Sequence, residues 1–351
     1  LVKRWLTPDE AKQVLRLQRG SQFRWIQITQ EGHRQNPDGD LARSLLGRYD
    51  SFEQGISGLE LALDYELRGQ HGTVIRHENV LRSAYEAEVR QAPKPGNNFW
   101  LTIHRALQYE TERALQDLFP DTGAVAGTVV VMDPYTGHIL AMARIGTKRD
   151  GINGNGLDLA VSSTYEPGSV FKIFTYSIAL DRGVITRDTP IDCMGGRIRV
   201  GDRTISDTHA YGTLPAWEAF AKSSNVAAIR VSSRLKPEEF EEGLRRFGLG
   251  RETGLPFPDE QSGRLAPIHA WTRQASVSMG YGVTVTAMQL ARAVSVIANG
   301  GSLVQPQIIL ARQKLGGPRE LLEYPAPRRI IKPETSIAVR WMMMQVVEQG
   351  T

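Results

Sequence analysis

Thr164-Tyr165-Glu166-Pro167-Gly168-Ser169-Val170-Phe171-Lys172-Ile173-Phe174 is the stretch on which the reading of this chain turns. Pro167 and Gly168 interrupt whatever precedes them. The run from Val170 to Leu180 is then apolar on nearly every side, as a helix buried in a core is. A helix is predicted over 170–181, with Ser169 at its N-terminus. Ser169 and Lys172 stand three apart, so on a helix they share one face and an ammonium can meet a hydroxyl. A lysine in an apolar site gives up its proton more easily, because desolvation disfavours its charged form. It can then act as base for a serine without a histidine. Free N–H groups at a helix start also favour negative charge developing on a carbonyl oxygen under attack.

By itself the pair is a weak signal. Twenty serines and nine lysines in 351 residues give about 0.5 chance pairs of this spacing. A second pair does occur, in Ser233-Arg234-Leu235-Lys236, but it runs into Pro237 with nothing nearby to suggest burial, and is read as accidental. Ser223-Ser224-Asn225 strengthens the first pair. It lies between two predicted helices, where a loop hydroxyl can relay a proton and a loop amide can hold a substrate amide. Ser-x-x-Lys with such a tripeptide and a Lys-Thr-Gly is the signature of β-lactamases and penicillin-binding proteins. No Lys-Thr-Gly occurs between residues 1 and 351. The third box and its strand are expected beyond Thr351.

Around these boxes the pattern is that of an α+β fold, an antiparallel sheet packed by helices. Thr128-Val129-Val130-Val131-Met132 and Ile139-Leu140-Ala141-Met142-Ala143, joined by Asp133-Pro134-Tyr135-Thr136-Gly137, predict a hairpin. Helices are predicted at 101–118, 215–222, 226–234, 237–246, 285–298 and 334–348. The first hundred residues are polar and irregular. They carry a short capped helix from Thr7-Pro8-Asp9-Glu10 and another that opens at Gly55-Ile56-Ser57-Gly58-Leu59-Glu60 and stops at Arg68-Gly69. Ala92-Pro93-Lys94-Pro95-Gly96-Asn97-Asn98 marks the expected boundary, giving a non-catalytic module over 1–98 and a catalytic domain over 99–351.

Composition excludes several classes. With 41% apolar and 23% charged residues the chain is an ordinary globular one. The net charge of +4 is spread out, and no basic run reads as a nucleic-acid surface. Cys193 is the single cysteine, so no disulfide framework exists, and it is expected to be a packed core thiol. The seven histidines form no metal-ligand spacing, so neither metal nor cofactor is expected, and His209 is read as structural. No apolar stretch approaches the roughly 20 residues that span a bilayer.

The boxes and their surroundings resemble the transpeptidase domain of class B penicillin-binding proteins. Asp133 to Met142 resembles the opening hairpin of that domain, Thr164 to Lys172 its nucleophile box, and Gly212-Thr213-Leu214 through Asn225 its second box. Met279-Gly280-Tyr281-Gly282-Val283-Thr284 and Ala298-Asn299-Gly300-Gly301 resemble the stretch before its third box. Upstream, Gly58-Leu59-Glu60 and Leu67-Arg68-Gly69 look like the family's pedestal. Arg203 to His209 and Tyr165 to Gly168 look closer to division-type members. Gln30 to Asn36 and Arg144 to Gly156 look compressed relative to the family.

The resemblance implies a serine D,D-transpeptidase that cross-links peptidoglycan stem peptides and is acylated by β-lactam antibiotics. Ser169 would be the nucleophile, Lys172 its base, Ser223 a proton relay and Asn225 the group holding a substrate amide. Glu166, Ser224, Tyr281 and Gly282 would be further substrate contacts. The third box would supply an oxyanion donor and a carboxylate-binding lysine. The implied partners are nascent glycan strands, a polytopic membrane glycosyltransferase and other cell-division proteins. The implied location is the outer side of the cytoplasmic membrane, on a single N-terminal anchor outside this chain. A β-lactamase or penicillin sensor is the competing reading, with Glu260 as the residue a lactamase would need. Neither would carry a hundred-residue N-terminal module. A scaffold that has lost its chemistry is the other alternative, and the retained box residues argue against it.

Overall fold

A computed structural model describes residues 35–50, 52–78, 84–146 and 158–350, with Lys3, 6–18 and a few single positions before 35. The two compressed stretches lie almost wholly outside these residues. Contacts divide the chain into two units, Leu1–Leu41 and Ala42–Thr351. In the first, α1 (Pro8–Gln18) opens on the expected cap. Glu10 N–H donates to the Thr7 hydroxyl at 3.2 Å, and Thr7 N–H donates to the Glu10 carboxylate at 2.9 Å.

The second unit begins with α2 (Arg43–Leu46), α3 (Gly58–Ala62) and α4 (Asp64–Leu67). The single helix expected to open at Gly55 therefore starts at Gly58 and is split at Leu63. Next comes an antiparallel hairpin that the polar sequence did not announce, β1 (Thr73–Glu78) and β2 (Ala84–Gln91). The helix expected from Leu101 starts later. Residues Asn98–Leu101 form β3, and α5 (Arg105–Thr122) is capped by the His104 ring, which accepts from Leu107 N–H at 3.3 Å.

The predicted hairpin is present as β4 (Ala126–Met132) and β5 (Ile139–Gly146). Its turn is closed by the Asp133 carboxylate, which accepts from Tyr135 and Thr136 N–H at 2.7 and 3.1 Å. Helix α5 completes the free edge of β5. The Gln108 amide accepts from Met142 N–H and donates to Met142 C=O, both at 2.8 Å, so a buried backbone pair is satisfied by a side chain.

Further along lie α6 (Leu159–Ser162), a 3₁₀ turn at Gly168–Phe171, and α7 (Lys172–Asp181). Strands β6 (Pro190–Asp192), β7 (Arg197–Val200), β8 (Arg203–Ser206) and β9 (Thr213–Pro215) form two small antiparallel pairs, β6 with β9 and β7 with β8. Helices α8 (Ala216–Ala221), α9 (Asn225–Ser232), α10 (Pro237–Arg246), α11 (Trp271–Ser278) and α12 (Ala287–Ala298) follow. Strands β10 (Ser302–Leu303), β11 (Ile309–Gln313), β12 (Arg319–Leu321) and β13 (Arg328–Arg329) precede α13 (Pro333–Gln349). β11 pairs with both β3 and β12, making a three-stranded antiparallel sheet. The fold is α+β.

Two apolar clusters hold the second unit. One surrounds α7, with Phe171, Phe174, Tyr176, Ile229, Phe240 and Phe247 all buried in it. Phe174 meets Phe171 edge-on with ring centres 5.3 Å apart and Phe247 at 5.2 Å. The other brings Leu45 and Leu59 together with Ile139, Met142, Val161 and Ile309. Residues 42–98 thus share a core with the hairpin that starts the C-terminal portion, and the composition break near Asn98 is not a break in packing.

Candidate active site

Helix α7 is buried along its length because its sequence offers no polar face. Phe174, Tyr176, Ile178 and Ala179 point into the core, and Thr175 is satisfied by donating to Ser278 C=O at 2.9 Å. Ser169 belongs to the 3₁₀ turn and Lys172 opens the α-helix. Residues i and i+3 eclipse on a 3₁₀ helix, so the spacing still places both on one side. Ser169 is exposed, whereas Lys172 is only 2% exposed.

The expected hydrogen bond between Ser169 and Lys172 is replaced by another. The Lys172 ammonium donates to Ser223 C=O at 2.5 Å and to the Ser223 hydroxyl at 3.1 Å. Burial lowers the Lys172 pKa to about 8, against the opposing charge of Asp207. A lysine so placed is neutral in an appreciable fraction of molecules near neutral pH, as a base must be.

Ser223 occupies the turn between α8 and α9 with φ +52°, a left-handed conformation that costs a non-glycine residue about 1–2 kcal/mol. The turn turns both oxygens of Ser223 toward Lys172. Neighbouring contacts hold it there. The buried Ser224 hydroxyl caps α9, accepting from Ala227 N–H at 2.9 Å, and donates to Asp207 Oδ2 at 2.6 Å. Asp207 Oδ1 accepts from Asn225 N–H at 2.5 Å and Val226 N–H at 3.1 Å. The Asn225 amide donates to Ser206 C=O at 3.1 Å. Ser224, expected from the sequence to contact substrate, is corrected here: its hydroxyl is turned inward and engaged in capping.

The stretch before α12 docks alongside the nucleophile turn. Tyr165 and Val285 exchange backbone hydrogen bonds at 3.0 Å, and Gly168 N–H donates to Gly280 C=O at 3.2 Å. Gly280 has φ +86°, and a Cβ there would lie 2.1 Å from Gly168 O, so only glycine permits this approach. The Glu166 carboxylate accepts from Gly282 N–H at 2.7 Å, while Tyr281 is half exposed. Glu166 and Gly282 are therefore partners of each other on the rim beside Ser169.

Other sequence candidates fall elsewhere. Ser233 and Lys236 of the accidental pair are exposed, and Lys236 sits at the N-cap of α10. Glu260 is locked in the interior, accepting from Thr253 N–H at 2.8 Å, the Thr253 hydroxyl, and Gly254 N–H at 3.1 Å. Cys193 is a buried core thiol. His209 packs edge-on against Tyr211. The residue that sequence reasoning missed is Asp207, whose one signal was its place in the lead-in to the second box. Among the described residues no helix is long and apolar enough to cross a membrane.

Comparison with known proteins identifies the family. A family described as the penicillin binding protein transpeptidase domain matches residues 127–351, and one described as the penicillin-binding protein dimerisation domain matches 2–101. The chain is 34% identical to penicillin-binding protein PbpB of Mycolicibacterium smegmatis, over 90% of this chain and 50% of that protein. It is 27% identical to peptidoglycan D,D-transpeptidase FtsI of Escherichia coli, over 98% of this chain and 57% of that one. A crystal structure of penicillin-binding protein 3 from Mycobacterium tuberculosis complexed with ampicillin aligns with a TM-score of 0.78 at 32% identity, covering 90% of this chain and 68% of that one. The chain spans about half the length of these two sequence relatives. It belongs to the penicillin-binding protein transpeptidase family.

Proposed function

We propose that this chain carries most of the catalytic centre of a class B D,D-transpeptidase, which joins peptidoglycan stem peptides through a serine acyl-enzyme. The observation that carries the reading is the buried, proton-releasing Lys172 bonded to Ser223, one turn along the chain from an exposed Ser169. Ser169 Oγ attacks the carbonyl between the two terminal D-alanines, and Lys172 takes the hydroxyl proton. The C–O bond forms and the carbonyl electrons move onto oxygen, where N–H groups of the 3₁₀ turn favour the charge. Collapse expels the terminal D-alanine, whose nitrogen receives a proton through the Ser223 hydroxyl. An amine of a neighbouring stem then attacks the ester, gives up its proton by the same route, and restores Ser169. Asn225 holds a substrate amide. Glu166, tied to Gly282, shapes the rim that Tyr281 borders.

The relatives named for penicillin binding, and the ampicillin complex among the solved structures, support acylation by β-lactams here. The lead-in at Arg203–His209 and the likeness to FtsI support a role in septal wall synthesis. Residues 1–98 would be a non-catalytic pedestal and 99–351 the transpeptidase domain up to its third box. The pedestal would dock a polytopic glycosyltransferase and other division proteins, with the catalytic face outside the cytoplasmic membrane on an N-terminal anchor.

The test is direct. The full-length protein is incubated with a stem pentapeptide donor and an amine acceptor, and products are followed by mass spectrometry. Equal amounts of released D-alanine and cross-linked dimer are expected. Release of D-alanine with hydrolysed donor alone would make the protein a carboxypeptidase. No release would refute the reading.

A further inference from the structure

We propose that Asp207 is a positioning residue of this site, fixing the loop of Ser223 and Asn225 to the end of β8 and serving as the counter-charge of Lys172. The inference rests on the acyl-transfer reading above. Asp207 is itself anchored, since its N–H donates to Gly196 C=O at 2.8 Å beyond the β7–β8 hairpin. From there its two oxygens hold three consecutive residues: Ser224 through the hydroxyl, and Asn225 and Val226 through their N–H groups. These are the free donors of the first turn of α9, where a carboxylate is favoured by both hydrogen bonding and the helix dipole. Its neighbour Ser206 holds the Asn225 side chain.

Ser223 immediately precedes this anchored segment and keeps its left-handed φ. A strained residue persists only where its surroundings over-determine it, and Asp207 with the two backbone bonds from Ser223 and Ser224 to Phe220 and Ala219 provides that determination. Asp207 is therefore coupled to both oxygens that Lys172 touches.

The electrostatic surroundings fit the same role. Tyr176 on α7 and Cys193 beyond β6 feel the charge of Asp207, and burial pushes both upward, so both stay protonated and neutral. Asp192 and Glu218 act on the Cys193 thiol. Asp207 is the charge that opposes loss of the Lys172 proton. Its removal should make that proton easier to lose while loosening the loop, and these two effects have opposite signatures.

The experiment measures acylation of the full-length protein by a fluorescent penicillin as a function of pH. Asp207→Asn is expected to lower the plateau rate roughly 10- to 100-fold, the scale of a lost charge-assisted hydrogen bond. Its acid limb should move to lower pH, because the charge that holds the proton on Lys172 is gone. Ser224→Ala keeps that charge, so its plateau should fall with the acid limb in place. Asp207→Glu keeps the charge on a longer arm and should behave like Ser224→Ala. An unmoved acid limb in a folded Asp207→Asn protein would reduce Asp207 to a structural cap. Wild-type rates in Asp207→Glu would overturn the positioning role, even if Asp207→Asn failed to fold. Absence of labelling in the wild type would overturn the acyl-transfer reading, and the role of Asp207 with it.

Discussion

The Lys172 ammonium lies 2.5 Å from the carbonyl oxygen of Ser223 and 3.1 Å from its hydroxyl, and so joins the start of α7 to the turn before α9. The bond spans 51 residues of sequence and is made by a side chain that burial has largely stripped of water. Both properties matter to the chemistry. On the proposed mechanism the proton that Lys172 takes from Ser169 has an acceptor waiting in Ser223, and the desolvation that would make Lys172 a base also holds it in one place.

Lys172→Arg is expected to lose acylation almost as completely as Lys172→Ala. Arginine keeps the charge but stays protonated at any ordinary pH, so it cannot act as the base. Lys236→Arg, on the exposed end of α10, should leave the rate unchanged. The check is the acylation rate constant of the three variants beside the wild type. Equal losses in Lys172→Arg and Lys236→Arg would show that the wrong Ser-x-x-Lys pair had been chosen.

The pH dependence of the wild type follows from the same lysine. Only neutral Lys172 can accept the Ser169 proton, so acylation should rise with pH through a limb centred at about 8 and level off above it. A stopped-flow series across this range measures it. A rate falling through that range would mean that the protonated form is the active one, contrary to the base role.

Asp158 offers a test of stability away from the chemistry. It is 1% exposed, and its Oδ1 caps Ala160 N–H at 2.9 Å, while Oδ2 is buried without a hydrogen-bond partner among the described residues. Burial raises its pKa to about 6, partly offset by the Ala160 bond and Arg144. Between pH 4 and 6 the folded state then binds more protons than the unfolded one, so stability falls as pH rises through this window and stays lower above it. Asp158→Asn keeps the cap and removes the charge. It should gain about 1–3 kcal/mol at pH 7.5 and nothing below pH 4, as read by denaturant unfolding at the two pH values.

Truncation distinguishes the composition boundary from the packing boundary. Removing residues 1–41 keeps Leu45 and Leu59 in place. Removing 1–98 takes away Leu45 and Leu59, which are buried against Ile139 and Met142. The loss should be several kcal/mol, given that a single buried Leu→Ala costs about 2–5 kcal/mol. Calorimetry of the two truncated proteins decides it, and equal melting temperatures would contradict the shared core.

Local pattern made part of this legible in the sequence. The β4–β5 hairpin follows from two apolar runs joined by turn residues, α10 and α13 from helical periodicity, and the buried α7 from a sequence that is apolar on nearly every side. That Ser169 and Lys172 lie on one side of a turn is legible because three residues span one turn, whether 3₁₀ or α. What could not be read is what depends on distance. Ser223 as the partner of Lys172, and Asp207 as the anchor of the second box, come together only when β8, α7 and α9 pack. The inward turn of Ser224 is likewise hidden, since a serine beside a catalytic loop has the same letter whether it faces substrate or caps a helix. β2 alternates from Tyr85 to Arg90, but half of its residues are charged or amide and its apolar positions are few, while β1 sets Val74 beside Ile75 and has no alternation, so the pair does not stand out from the polar stretch around it.

The central claim is that Ser169 is the nucleophile, and intact-mass spectrometry after exposure to a penicillin tests it most directly. The full-length wild type should gain the mass of one opened β-lactam, mapped to Ser169 in the peptide digest, and the adduct should persist for far longer than a lactamase ester would. Ser169→Ala, with its circular dichroism and melting temperature unchanged, should gain nothing. An adduct that forms in Ser169→Ala, or one that maps to any other residue in the wild type, would contradict the assignment.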